Sequence, residues 1–551
     1  MMPTPASSVS RISLRALGAF CVSASALFAA PAYWDTDGDA TTGLGGSGVW
    51  DTTSLNWNTA EDGGGVLQAW VNGDAANFGG SGGVVTVGPG ISTTGINFRP
   101  GAYDYTLSGA DITMTTASFG SIISTNSGLT ATISISNNIN LNDAGPSSNN
   151  TYNFGAQGGT DITYSGNLTI IGATAGTNTI AFNLYSNSTF TYSGSTGASS
   201  RVAFQIGGSG TSNGIRVTLS GSNAPISGTT INRGTLVLDH NSAAGTQGIT
   251  LANANTSTSN DTVVLLIGAG RSINNPITVA SNSGDTATGE VRRIGGEFTS
   301  GSASFTNTLT VNDQKQANGL EVTAAGGGRV NFTGSIVGSG AITKVGDGIV
   351  AFTRPNAGTT HSGGVTVAAG TLLANGYNST GSGAVTVNSG ATLGGNGAVN
   401  GAITLAAGSR FSPGDIAADN ATSLAGTFTA GSSFTWNSDG LAGFRFDLGA
   451  DQSSSDLLAI AGDFIKGSGD AFVFEFTDLG VTPSFTYTLV TFGSNEGFNV
   501  GDFVAHGVSG AFGFSGNSLT FTVAAIPEPS SAVALAAFVA IGAAGLRRRR
   551  G

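Results

Sequence analysis

Asp35, Asp37 and Asp39 alternate around Gly38 in the stretch YWDTDGDATTG, and alternating carboxylates are what a calcium-binding loop uses. An EF-hand loop starting at Asp35 needs glycine at its sixth position and glutamate at its twelfth. Those positions hold Ala40 and Gly46, so the spacing reads as a solvated turn. The three histidines, His240, His361 and His506, lie far apart, and none sits in an HxxxH or HExxH pattern. His361 stands just before a strand of the repeat described below and reads as a loop residue. The carboxylates are dispersed, and pairs such as Asp347 between Gly346 and Gly348 read as turns. No short-range cluster supplies the two acids of a glycosidase, or the base and calcium ligands of a lyase. The single cysteine, Cys21, lies close to the start of the chain. No catalytic, metal-binding or cofactor-binding residue is assigned, and no cofactor is expected.

The residues whose pattern is most specific are at the two ends. At the start, Arg11 and Arg15 precede an apolar run from Ala16 to Phe28, and Ala30 and Ala32 put small residues at −3 and −1 of a cleavage site. Residues 1–32 therefore read as a signal peptide, handled by the Sec translocon and cut after Ala32 by signal peptidase. At the other end, Ser531 to Leu546 is free of charge. As a helix it would span ~24 Å, against ~30 Å of hydrocarbon, so it is a marginal membrane span. Arg547, Arg548, Arg549 and Arg550 would lie on the cytoplasmic side. Pro527 and Pro529 stop the helix from extending upstream. Both ends place the body outside the cytoplasm, after a transient stay in the inner membrane.

Composition constrains that body. The chain has 551 residues, 39% hydrophobic and only 9% charged, with 88 glycines. That apolar content argues against disorder, and the glycines keep no three-residue period, which argues against collagen. Net charge is −12, and six of the 20 basic residues (Arg11, Arg15 and Arg547 to Arg550) belong to the terminal segments. An acidic body with no basic stripe does not suit nucleic acid or anionic lipid.

Between the ends the pattern is short alternating strands broken by Gly, Asn and Ser, as in Ala131 to Asn138. The strongest internal signal is a repeat: VTVAAGTLL (365–373), VTVNSGATL (385–393) and ITLAAGSRF (403–411), with Gly370, Gly390 and Gly408 spaced by 20 and 18 residues. Gly234 plays the same part in an earlier copy. A period near twenty with several strands per copy predicts an all-β, right-handed parallel β-helix, a solenoid whose glycines mark the bends. Four of the five tryptophans, Trp34, Trp50, Trp57 and Trp70, gather ahead of it. The expected organisation is a Trp-rich cap over 33–80, β-helix over 81–420, a Phe-rich module over 421–525 and the tail over 526–551. Alternating aromatics between Gly/Ser turns suggest antiparallel hairpins in the Phe-rich part, which could instead be the final coils of the solenoid.

Two resemblances add to this. Ile526-Pro527-Glu528-Pro529, the short apolar span and the terminal arginines resemble the PEP-CTERM sorting signal of Gram-negative bacteria. That resemblance covers only the last ~25 residues. It implies recognition and processing by a membrane enzyme, an exosortase, in hosts that make exopolysaccharide or biofilm. The stretch GSIVGSGAITKVGDGIVAF (334–352), followed by SGGVTVAAGTLLANG (362–376), resembles the autotransporter-associated β-strand repeat. Gly338, Gly340, Thr343, Lys344, Gly346, Gly348, Gly363, Gly370, Thr371 and Leu372 are the matching positions. This implies a passenger-like solenoid at the cell surface. The expected sorting tail stands where that family has an outer-membrane barrel.

The function expected is that of an exported cell-surface or extracellular-matrix protein, structural or adhesive, meeting exopolysaccharide or another surface glycan. The rival is a β-helix carbohydrate-active enzyme, a polysaccharide lyase or glycosidase, whose acids come together from distant coils.

Overall fold

The computed structural model describes residues 30–525, except 40, 42, 116–120, 143–149, 172–175, 186, 198–201, 208–213, 224–225, 252–261, 282–290, 314–318 and 355–359. Its elements are β-strands and two single-turn 3-10 helices, Gln452–Ser454 and Val500–Asp502. The chain winds through three faces in turn. One coil runs along Leu320–Ala324 on the front, Arg329–Phe332 on the side and Ile336–Gly338 on the back, then returns to the front at Ile342–Val345. The front sheet stacks 18 strands, from Gly48–Trp50 to Ser494–Glu496. The back sheet has 15 strands, and the side sheet has 10, from Ser272–Ile273 to Phe503–His506. The expected all-β parallel solenoid is therefore the fold.

Sequence alternation produces this directly. Val385 and Val387 are fully buried while Thr386 between them is exposed. Like stacks on like: Val365, Val385, Ile403 and Phe434 form one inward row, and Val367, Val387, Leu405 and Trp436 the next. Each step advances ~4.8 Å, so the inward rows merge into one continuous core. The bends need glycine for two separate reasons. Gly390 has φ 79°, and a Cβ there would meet nothing within 4 Å. Gly363, Gly383 and Gly401 stack instead: a Cβ on Gly383 would fall 1.8 Å from the Gly363 carbonyl oxygen, and one on Gly401 1.8 Å from that of Gly383.

Two expectations are corrected. The period near twenty holds for Lys344, Val367, Val387 and Leu405, which are 23, 20 and 18 residues apart. Other register partners are further apart, such as Tyr105 and Ile133 (28) or Phe434 and Phe464 (30). The extra residues fall between strands, which leaves the alternation within strands untouched. The antiparallel module expected over 421–525 is confined to its last strands. Phe434–Trp436, Asp463–Lys466 and Ser494–Glu496 continue the front sheet in parallel. Ala442–Leu448, Phe472–Asp478 and Phe503–His506 likewise continue the side sheet. Among the described residues of this part, Ser518–Val523 pairs antiparallel with Thr486–Thr491 and Gly510–Phe514, and Ser423–Leu424 pairs antiparallel with Asp415–Ile416 just ahead of it. Alternating aromatics mark which face of a strand is buried but not the direction of its neighbour.

At the other end, Trp57–Asn58 pairs antiparallel with Pro31–Trp34 and with Leu67–Gln68. Trp34, Trp50, Trp57, Trp70 and Phe78 pack edge-on or tilted there, with ring centroids 4.6–5.9 Å apart. Among the described residues no helix is long and apolar enough to cross a membrane, and the expected span 531–546 lies outside them.

Candidate functional site

Pro527, Glu528, Pro529 and Arg547 to Arg550 lie outside the described residues. Of the leader positions, Ala30 donates its N–H to Asp74 Oδ1 at 3.0 Å, and Ala32 is fully buried opposite Ala76. Ala32 lies in the strand Pro31–Trp34 of the back sheet, and Ala30 immediately precedes that strand. Among the described residues no group of three or more His, Cys, Asp or Glu is placed to hold a metal.

The turn at Asp35 is confirmed, but its first carboxylate is buried rather than solvated. It accepts the N–H groups of Asp37 (3.3 Å) and Gly38 (2.9 Å) and the Asn58 amide (2.8 Å). His361 is also not a loop residue. It is 1% exposed, with Nε2 2.7 Å from the Gly340 carbonyl and Nδ1 3.2 Å from that of Thr380, so it ties three successive coils. His240 Nδ1 accepts the Ser242 N–H at 3.1 Å, and His506 is exposed on the last side strand.

Lys344 points inward, in register with Val367, and is fully buried. Its ammonium donates to the carbonyls of Val345 (3.1 Å), Gly346 (2.7 Å) and Ala369 (2.9 Å). Burial pulls its pKa down to about 8, against the opposing charge of Asp347. The lysine of the repeat is thus a structural pin: it closes the corner after its own strand and joins it to the next coil.

The outward rows are hydroxylated. Thr343, Thr366, Thr386, Thr404 and Thr435 stand in register on the front, and Thr230, Thr250, Thr278 and Thr310 on the back. At a ~4.8 Å repeat, such rows can hydrogen-bond a polymer laid along the axis.

The side sheet carries an element that the sequence reading missed. Asp415–Ile416 and Ser423–Leu424 form a small antiparallel hairpin that folds back over coils preceding it in the chain. Arg329 donates to the Ile416 carbonyl at 2.6 Å and pairs with Asp415 at 3.3 Å. At the tip Asn420, with φ 59°, donates to the carbonyls of Gly301 (3.0 Å) and Gly327 (3.2 Å). The hairpin therefore straps five ladder steps, ~24 Å of solenoid, and covers the outward apolar cluster Ile349, Ala351 and Leu373 with Ile416. One signal could have revealed it: the interval between front partners jumps from 18 residues (Val387 to Leu405) to 31 (Leu405 to Trp436).

Where the strap rejoins the body, two acids are buried: Asp456 completely and Asp447 to 4% exposure. Asp456 accepts the N–H groups of Gly426 (2.7 Å) and Asp447 (2.8 Å). Burial, reinforced by the charge of Asp447 and opposed by those two hydrogen bonds, pushes its pKa up to about 8. In the sequence both stand among the dispersed carboxylates, and nothing singles them out.

Fold and surface together define a parallel β-solenoid with hydroxylated faces and closed ends. No family model matches the sequence. The chain is 37% identical over 153 residues to the protein named adhesin BmaC autotransporter of Brucella suis biovar 1 (strain 1330). That similarity covers 27% of this chain and 4% of the adhesin.

Proposed function

We propose that the chain is an exported structural and adhesive protein of the bacterial surface or extracellular matrix, and not an enzyme. The observation that carries this reading is its similarity to an autotransporter adhesin, in a chain whose described residues form a continuous parallel solenoid. The outward threonine rows and the buried roles of Lys344 and His361 agree with it: these two side chains inside the coils hold the coils together. In this reading the solenoid is right-handed, as parallel crossovers nearly always are, and passenger-like.

Export uses residues 1–32 as the signal peptide, through the Sec translocon and signal peptidase. Residues 526–551 then hold the chain transiently in the inner membrane through the span 531–546, with Arg547 to Arg550 on the cytoplasmic side. An exosortase-like enzyme acts near Pro527-Glu528-Pro529 and releases the body to the surface of a Gram-negative, biofilm-forming cell. There its partner is exopolysaccharide or another surface glycan.

The test tags the C-terminus and fractionates the cells. The body is expected at the surface and the tag in the inner membrane, with uncut precursor accumulating when Pro527, Glu528 and Pro529 are replaced by alanine. A tag that travels to the surface with the body, or normal processing of the triple variant, refutes the sorting reading. Unchanged attachment of cells lacking the protein refutes the adhesive one.

A further inference from the structure

The strap leaves a recess on the side sheet, a cavity of about 230 Å³ bounded by the strap on one side and the outward residues of successive rungs on the other. Its polar wall carries the hydroxyls of Thr371, Thr392, Ser412, Ser423 and Thr477, and its apolar wall is Leu373 and Ile416. Arg445 and Asp415 also line it.

Asp447 faces this recess. Its Oδ2 is buried and accepts no hydrogen bond, although the residue is 96% withdrawn from solvent. A buried carboxylate oxygen with no donor is costly, and such groups usually mark a ligand or water that supplies one. Two other charged groups of the recess already have partners: Arg445 pairs with Glu475 at 3.1 Å and Asp415 with Arg329 at 3.3 Å. The missing partner of the site is therefore a hydrogen-bond donor for Asp447.

We infer that this recess binds one neutral sugar ring, the end of a glycan rather than a stretch of it. The ring's hydroxyls donate to Asp447 and exchange hydrogen bonds with the Ser and Thr hydroxyls, which both donate and accept. Its C–H face rests on Leu373 and Ile416. The volume is below the ~300–1,000 Å³ of pockets for drug-sized ligands, which fits one ring and excludes an oligosaccharide. A uronate is disfavoured, because Asp447 repels it and Arg445, the arginine that lines the recess, is already paired with Glu475. A calcium ion needs six to eight oxygens, commonly from several carboxylates, and no group of three acids lies here among the described residues.

This inference deepens the adhesive reading and rests on it, so the test separates the two. Exported protein recovered from the cell surface is mixed with neutral hexoses and pentoses at millimolar concentration, and saturation-transfer NMR reads contact. Glucuronic acid and calcium chloride are tested in separate arms, calcium by its effect on the melting temperature. Wild-type protein is expected to contact at least one neutral sugar. Ser423→Trp, which fills the recess from the exposed strap, is expected to weaken that contact at least tenfold, and Asp447→Asn at least threefold. The inference is overturned if no neutral sugar contacts the wild type, if both variants bind as it does, if glucuronate binds best, or if calcium stabilises the wild type but not Asp447→Asn. Attachment of cells displaying the Ser423→Trp variant is scored in parallel. Attachment without any sugar contact sinks the recess and leaves adhesion standing; sugar contact without attachment by the wild type does the reverse.

Discussion

Replacing Gly383 and Gly390 by alanine, one at a time, separates the two reasons for which this solenoid uses glycine. At Gly390 the added Cβ meets nothing within 4 Å, and only its φ of 79° resists it. The left-handed region costs an L-residue ~1–2 kcal/mol, and the stiffer unfolded chain returns ~0.4–1 kcal/mol, so Gly390→Ala should cost about 1 kcal/mol. At Gly383 the new Cβ would stand 1.8 Å from the Gly363 oxygen and 2.4 Å from its carbonyl carbon. Two coils must part by more than ~1 Å, against a stacking step of ~4.8 Å. The rung bonds between these two coils beside the corner, Val365 N–H to Ala384 O at 2.9 Å and Ser382 N–H to His361 O at 2.9 Å, then stretch or break. With ~1 kcal/mol for each bond and ~1–3 kcal/mol for each buried group left unpaired, Gly383→Ala should cost ~3–5 kcal/mol. Coils of a solenoid open locally, so hydrogen exchange of segments spanning 360–410 is a better readout than a single melting curve. Protection there should fall at least a hundredfold in Gly383→Ala and about fivefold in Gly390→Ala. Equal losses in the two variants, or a larger loss at Gly390, would refute the division between steric approach and backbone conformation.

Three further outcomes follow from particular side chains. Asp456 titrates near 8 in the folded chain and near 4 when unfolded, so the folded state binds the extra proton between those values. Its contribution is present below pH ~4 and is lost as pH rises towards 8, ~5 kcal/mol in all. Asp456→Asn should flatten the decline of urea stability between pH 5 and 8, and an unchanged slope refutes this. Lys344→Met should lower stability by ~1–3 kcal/mol, because the carbonyls of Val345, Gly346 and Ala369 lose their shared donor. Denaturation of this variant matching the wild type would show that the pin contributes nothing. Mass spectrometry of the exported protein should give Tyr33 as the first residue, and an intact leader contradicts the signal peptide.

Much of the fold was legible because a solenoid writes its core into alternation. Rows such as Val365 with Val385 were visible as repeated triplets before any pairing was known. What alternation does not encode is strand direction, so Phe444, Phe474 and Phe503 looked like hairpin residues although they lie in parallel rungs. The strap was hidden because Asp415 to Leu424 has neither period two nor length, and it showed only as a stretched interval. The recess was invisible for a different reason. Asp447 and Asp456 are joined by a backbone bond of 2.9 Å across a turn of 3-10 helix, a contact that no spacing rule singles out. His361 was misjudged because the neighbouring Ser362, Gly363 and Gly364 look like solvent-exposed loop, whereas here glycine marks coils in close contact.

The strap also sets how the molecule bears load. Strands in this solenoid run across its axis, so tension along the axis pulls rungs apart one after another, like teeth of a zipper, and each gives way at low force. The hairpin lies lengthwise, fixed to Arg329 and to the Gly301 and Gly327 carbonyls at one end and to the chain at Pro413 at the other. Separating any two coils between those points must also shear its contacts. Under a pull, the stretch from Gly301 to Pro413 yields as one block while coils outside it unzip singly. A solenoid strapped this way should lengthen in small steps from its unstrapped parts and keep a stiff segment to the last.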